Sequence, residues 1–480
     1  MSRPRRSRSG TRGSGSTEPG DALALAPLFT SERPAVGDPW HPAVMGDDER
    51  LTAKQFQLAG GVEDWRVLAF GASAWFAASS HTAGAALVRR VAELTGNAGR
   101  LPDVDLRVDG VHVRIRTPGS PGLTLADVAV ARAISAAAQD LGLAADPSAV
   151  HTVQLAIDTL DKPSVMSFWR AVLGYERLGD DDLVDAMRRD PAIWFQQQDQ
   201  PRPLRNRIHV DVARPHALAL EGVEEAKAVG GREAYVGEGY GTLADAEGNE
   251  ADVIPDDELS GGGETANWRV LFGAMTFYPV TSPLRAAELA VVVAGLADNA
   301  GLPLLVDVRP DGVTIDTGKD QWEDERFGDL ARRVQAAARG MALTADPTPL
   351  RFVQIGIDAV DIPAVRGFWR AVLGYEYDPR PEVTDIYDPR RLNLPIFFQQ
   401  MPASEEARRK QRNRIHVDVF VPDDQARARI DKAVAAGGRI VYDDEAPEWW
   451  TLADPEGNEV DIAVSVGREE LWLATQADAD

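Results

Sequence analysis

From Val153 to Asp158 apolar and polar side chains alternate, with Val153, Leu155 and Ile157 opposed to Gln154, Ala156 and Asp158. A period of two predicts a strand with one buried face. The period then lengthens. Val165, Phe168, Trp169 and Val172 form a helical stripe, Pro163 fits its first turn, and Gly174 stands where a C-terminal cap belongs. A strand follows from Tyr175, and Ile193 to Gln197 reads as another. A second unit opens at Arg207, where Ile208, Val210 and Val212 alternate with Arg207, His209 and Asp211. A helix is predicted from Ala217 to Val229, stopped by Gly230-Gly231, and the last strand runs from Asn249 to Ile254. Each unit reads strand, helix, then further strands: βαβββ.

The whole pattern occurs twice. The run from Phe168 to Glu176 returns unchanged from Phe368 to Glu376, and Asn206 to Val212 returns as Asn413 to Val419. Thr242 to Asp245 returns as Thr451 to Asp454, and Glu247 to Glu250 as Glu456 to Glu459. Upstream, Trp65 to Leu68 matches Trp268 to Leu271, each followed by an Ala-rich helical stretch and a hairpin signal, Asp109-Gly110 and Asp311-Gly312. The predicted class is α+β, with a small α+β domain and a βαβββ-repeat domain, both duplicated. Residues 46–146 and 257–346 are the earlier domains, and 147–256 and 347–467 the later ones. Residues 1–45 and 468–480 are expected to be tails, and the acidic, Gly-rich stretch Asp256 to Glu264 a linker.

Composition narrows the function. The formal charge of −24 argues against nucleic acid as a partner, since phosphate backbones call for a positive surface. Arginines 3, 5, 6, 8 and 12 sit among Ser, Gly and Pro, which predicts a solvated tail. No apolar run is long enough to span a bilayer. The chain has no cysteine, which excludes disulfides and thiolate metal sites and fits a cytoplasmic location.

The βαβββ repeat and its motifs, Val-Gln-x-x-x-Asp-x-x-Asp, Phe-Trp-Arg-Ala-Val-Leu-Gly, Arg-Ile-His-Val-Asp-Val and Asp-x-Glu-Gly-Asn-Glu, resemble the vicinal-oxygen-chelate superfamily in its glyoxalase-like branch. The superfamily includes glyoxalase I, extradiol dioxygenases and bleomycin-resistance proteins. The resemblance implies a curled sheet with helices on its convex side and ligand on its concave side. Periodicity then names the concave residues: Gln154, Asp158, Gln196, Arg207, His209, Asp211, Glu250 and Asp252. The second copy offers Gln354, Asp358, Gln399, Arg414, His416, Asp418, Glu459 and Asp461. Trp194, Phe397, Trp449 and Trp450 lie along the same strands and suit a flat or apolar ligand.

The resemblance also implies metal ligands. Carried over by position they are Gln154, Gln196, His209 and Asp252, then Gln354, Gln399, His416 and Asp461. A divalent Zn, Ni, Mn or Fe ion is the implied cofactor. The alternative for each histidine is a hydrogen bond to a neighbouring Arg or Asp on a polar sheet face. Because superfamily members build sites across paired units, the two glyoxalase-like domains are expected to pair within the chain.

Leu51 to Leu143 resembles pterin-4a-carbinolamine dehydratase, through the first helix at Leu51, Trp65, Pro102-Asp103, and Thr124 with Asp127 spaced as a capping box. That family carries His-His-Pro-Asp before the strand pair and Thr-His after it. Here the positions hold Arg100-Leu101-Pro102-Asp103 and Thr117-Pro118, and in the second copy Gly301-Leu302-Pro303-Leu304 and Thr317-Gly318. Leu and Pro cannot move protons. These domains are expected to be scaffolds or binding folds with little or no dehydratase activity. His81 and His112 are expected at the surface, and His151 at a strand edge.

The expected function is a small-molecule-binding protein that sequesters or processes an organic ligand in one or both polar cups. The alternatives are a metal-dependent lyase or isomerase of the glyoxalase type, a dehydratase active despite its missing histidines, and a purely structural assembly.

Overall fold

The computed structural model describes residues 50–69, 71–96, 101–116, 122–237 and 240–470. The expected N-terminal tail, Arg100 and Thr117-Pro118 lie outside the described residues.

The two earlier domains share one sheet. Strands Asp103–Arg107 and Leu305–Arg309 pair antiparallel with Asp105 directly opposite Asp307, which joins both copies' strands into a ten-stranded sheet. Helices His81–Thr95, Leu125–Asp140, Pro283–Ala300 and Phe327–Gly340 cover one face. Val104, Leu106, Val111, Val113 and Ile115 point into that helical layer and are buried. Thr124 caps the helix at Leu125 in a full capping box with Asp127, a device worth about 1 kcal/mol. In the second copy Gly262–Glu264 forms a single 3-10 turn near the position of the first helix.

Four βαβββ modules follow: module I, 152–197; II, 208–255; III, 352–400; and IV, 415–463. The helix of module I shows how the sequence sets each one. Asp161 accepts from Ser164 N at 3.4 Å, Pro163 enters the first turn, and Gly174 ends the helix at φ +65°. Its stripe, with Val165, Phe168, Trp169 and Val172, is buried in a core common to all four modules.

The repeated Asp-x-Glu-Gly-Asn-Glu motif is a folding device. Asp245 accepts from Trp169 Nε1 at 3.1 Å, from Asn249 Nδ2 at 2.7 Å, and from the backbone N–H groups of Glu247 and Asn249 at 2.9 Å each. Glu247 then takes the free N–H groups of Leu160 and Asp161 at the start of the module I helix, at 2.8 and 3.0 Å. Asp454, Glu456 and Asn458 repeat these bonds around Trp369 and Asp361.

Sheet order crosses the copies. Strand Thr152–Thr159 of module I pairs with Ile415–Phe420 of module IV, and Ile208–Arg214 of module II with Phe352–Ala359 of module III. Each eight-stranded sheet therefore takes one module from each copy, while the helices of modules I and II pack on each other. The two glyoxalase-like domains thus share their sheets, and the concave residues that periodicity groups copy by copy are regrouped across the copies. The expected linker is also partly structural. Asp257–Glu258 adds a strand to the ten-stranded sheet, and Asp256 accepts from His216 N at 2.6 Å.

Two histidines expected at the surface are buried. His81 places Nδ1 2.9 Å from Asp298 and Nε2 3.0 Å from the carbonyl of Leu304, so it ties one copy's helix to the other copy. His112 Nδ1 meets Asp105 at 2.7 Å. His81 belongs to the seam between copies, which is invisible when one copy is read alone, whereas His112 pairs within its own copy on the helix-free face of the sheet. Among the described residues no helix is long and apolar enough to cross a membrane.

Candidate functional site

Each cross-copy sheet curls into a cup. In the cup of modules II and III, His209 and Asp211 project from one strand, and Asp252 lies beside Asp211 on the parallel neighbour. Gln354 sits opposite Asp211 on the antiparallel neighbour and donates to it at 2.8 Å. His209 Nε2 is 3.6 Å from Asp211 and 3.2 Å from the amide nitrogen of Gln399. Thr242 donates to Asp252 at 2.5 Å. Phe397 meets the His209 ring edge to face at 5.6 Å.

The cup of modules I and IV repeats the arrangement with His416, Asp418 and Asp461. His416 Nε2 is 3.5 Å from Asp418 and 4.0 Å from Asp461. Gln154 lies opposite Asp418 in the register. Trp194 stands where the other cup has Phe397, and its indole donates to Asp418 at 2.8 Å. Arg468, after the last strand, stacks on Phe420 and lies 3.7 Å from Glu448.

The two cups differ in access. Trp194, Gln196, Gln154, His416, Asp418 and Asp461 are all buried. In the other cup Gln399 is exposed, Asp252 and Phe397 are half-buried, and Tyr240 is 36% exposed at the rim. One cup is sealed and the other open.

Burial shapes the carboxylates. It pushes Asp211 up to about 6, against the pull of His209 and the Gln354 hydrogen bond. Burial, followed by the charge of Asp418, pushes Asp461 up to about 7, and His416 opposes both. Burial likewise raises Asp418.

The sequence sets of candidate ligands are regrouped by the sheet order. Gln154 and Gln196 share a cup with His416, Asp418 and Asp461. Gln354 and Gln399 share one with His209, Asp211 and Asp252. Arg207 and Arg414 do not join either cluster. Arg207 donates to the carbonyls of Glu456 and Gly457 at 2.8 and 3.3 Å, and Arg414 to Gly248 at 3.0 Å and to Asn249 Oδ1 at 2.9 Å. Asp158 and Asp358 are likewise taken by arginines, Arg202 and Arg408. Sequence reasoning missed Gly356, which makes room for His209 and whose signal was a glycine inside an apolar strand.

A divalent cation fits the donor sets. One nitrogen and two carboxylate oxygens lie within 4.8 Å of one another in each cup, from His209, Asp211 and Asp252 and from His416, Asp418 and Asp461. Buried oxygens there lack a hydrogen bond: Asp211 Oδ1 and Gln354 Oε1 in one cup, Asp418 Oδ1, Asp461 Oδ1 and Gln154 Oε1 in the other. Imidazole with carboxylates and amide oxygens suits a borderline-to-hard ion such as Mn, Fe, Ni or Zn.

The family model described as a glyoxalase-like domain matches residues 154–254 and 354–463. The one described as pterin 4 alpha carbinolamine dehydratase matches residues 49–137. No curated protein matches the chain. Solved structures that the chain matches include glyoxalase I from Zea mays, 10% identical, covering 66% of this chain and 93% of that one at a TM-score of 0.35. A putative dioxygenase from Bacillus subtilis is 9% identical, covering 65% of this chain and 84% of that one at 0.33. The cppA protein from Streptococcus pneumoniae is 8% identical, covering 65% and 97% at 0.30. Scores this low say nothing about activity. By these matches residues 154–254 and 354–463 are glyoxalase-like domains, of the vicinal-oxygen-chelate superfamily, and residues 49–137 are a pterin-4a-carbinolamine-dehydratase-like domain before the first.

Proposed function

We propose that the protein binds a small organic ligand in the open cup between modules II and III. The observation that carries this reading is the asymmetry of the cups. Both hold a His-Asp-Asp cluster, but Trp194 and its neighbours close one, while Gln399, Phe397 and Asp252 leave the other accessible. Aromatic walls from Phe397 and Tyr240 suit a flat or partly apolar ligand, and the acceptor-rich floor suits its hydroxyl or amine groups. Binding is favoured over turnover because Gln399, at the cup's second ligand position, supplies a neutral amide, which cannot serve as a general base.

The second reading is a metal-dependent lyase or isomerase, favoured by the clustered His209, Asp211 and Asp252. Native mass spectrometry and metal analysis of the purified protein, with His209→Ala and His416→Ala, separate the two. The binding reading expects a retained small molecule that is lost in His209→Ala and kept in His416→Ala. Stoichiometric metal lost in His209→Ala, together with turnover of the methylglyoxal–glutathione adduct, would establish the lyase instead.

A further inference from the structure

A cavity of about 350 Å³ lies outside both cups, on the axis that relates the copies. Its floor is the helix-free face of the ten-stranded sheet. Its walls are the loops 185–191 and 387–395 of modules I and III. Exposed Glu176, Arg177 and Leu178 line its mouth. In a chain with a net charge of −24 this cavity is cationic: nine arginines and one lysine line it against six carboxylates.

Most of these charges are matched reciprocally. Arg107 donates to Asp307 at 2.7 Å and Arg309 to Asp105 at 2.6 Å, each across the copies. Arg189 takes Asp307 and Asp316, Arg351 takes Asp185 and Asp190, and Lys319 takes Asp385 behind the wall.

The symmetry breaks at one corner. Arg188 forms a two-pronged pair with Asp103 at 2.8 and 3.0 Å. Its counterpart, Arg391, faces a different floor, because Leu305 occupies the register position that Asp103 holds in the first copy. Arg391 N donates to the carbonyl of Asp388 at 2.9 Å, but among the described residues its guanidinium donates to no carboxylate or carbonyl. Its guanidinium lies 3.6 Å from the centroid of the Tyr387 ring, and Asp388, Asp378 and Asp316 act on it only from a distance. Its backbone is held at φ +53°, a region that non-glycine residues seldom occupy. Arg107 fixes that backbone by donating to the carbonyls of Arg390 and Arg391 at 3.1 Å each. A planar five-donor group, half-buried on an aromatic ring and turned into a cavity of ligand size, is suited to a carboxylate or phosphate.

We propose that this cavity is a second ligand site, for a small organic anion bearing a carboxylate or phosphate, with Arg391 as its anchor. Two probes, inorganic phosphate and succinate, separate the two chemistries when titrated calorimetrically into the full chain at low salt. One of them is expected to bind at one equivalent, at least tenfold more weakly in Arg391→Gln and unchanged in His209→Ala. Leu305→Asp would give Arg391 the partner that Arg188 already has, so it is expected to abolish binding without lowering the unfolding temperature. This second variant decides the matter if Arg391→Gln folds poorly. Failure of both probes to bind the wild-type chain, or wild-type affinity retained in Arg391→Gln and in Leu305→Asp, would overturn the site.

Discussion

Gly356 stands directly opposite His209 in the antiparallel pair that joins the two copies, and a Cβ built there would overlap Cε1 and Nε2 of the ring and lie 2.7 Å from Phe397 Cζ. The matching register in the sealed cup is Ala156 opposite His416. Gly356→Ala is therefore expected to swing His209 off its cluster. Overpacking of this kind costs about 1–3 kcal/mol. Urea unfolding checks the stability, and metal or ligand content checks the cup. Wild-type content with unchanged stability would show that the ring has room to yield.

The elements themselves were legible, because alternation at Val153 to Asp158 and the stripe at Val165, Phe168, Trp169 and Val172 each have a single period. The partners of those strands were not. Arg-Ile-His-Val-Asp-Val is identical in both copies, so strand Thr152–Thr159 meets the same hydrophobic pattern in module II and module IV. Nothing local distinguishes its own copy from the other. Gln154 was accordingly set with His209 when it belongs with His416. The burial of His81 was hidden for the same reason, since its partners Asp298 and Leu304 belong to the other copy.

Arg207 and Arg414 carry that joining. Asn413 accepts from Arg207 N at 3.1 Å and Asn206 from Arg414 N at 3.0 Å, while the two guanidinium groups clamp turns of the opposite copy. Arg207→Met removes the charge and strands the carbonyls of Glu456 and Gly457. A loss of about 2–4 kcal/mol is expected, read as a lower urea midpoint. Adding Arg414→Met is expected to cost less than the sum of the single changes, since both act on one interface. Simple additivity would mean that the two clamps work independently.

The dehydratase-like domain is expected to leave 4a-hydroxytetrahydropterin to its uncatalysed rate. Asp103 is the one acidic residue retained from the histidine motif, and Arg114, Arg309 and Arg188 around it hold its carboxyl well below the usual range. A group locked in its ionised form makes a poor proton donor. Turnover that vanishes in His112→Ala would show that the sheet's own histidine has taken over the lost role.

His151 gives the fold a pH dependence of known sign. It lines the interdomain cavity with Nε2 sealed from solvent and without a hydrogen bond, and the matching position in the second copy is the permanently charged Arg351. Burial lowers its pKa from 6.5 to about 4. Arg429, Arg390 and His112 push the same way, and only Asp388 opposes them. Below pH 6.5 the unfolded chain therefore takes up a proton that the folded chain refuses until about pH 4. Stability falls across that window and levels off beneath it, by roughly 3 kcal/mol at most. Asp190, raised to about 6, and Asp182, raised to about 7, act oppositely, because their buried carboxyls favour the protonated form. The wild-type profile alone mixes these contributions. His151→Gln isolates one of them: the difference in unfolding free energy between wild type and variant should shrink as pH falls from 7 to 4. A difference that stays level across that range would mean that the folded chain protonates His151 as readily as the unfolded one.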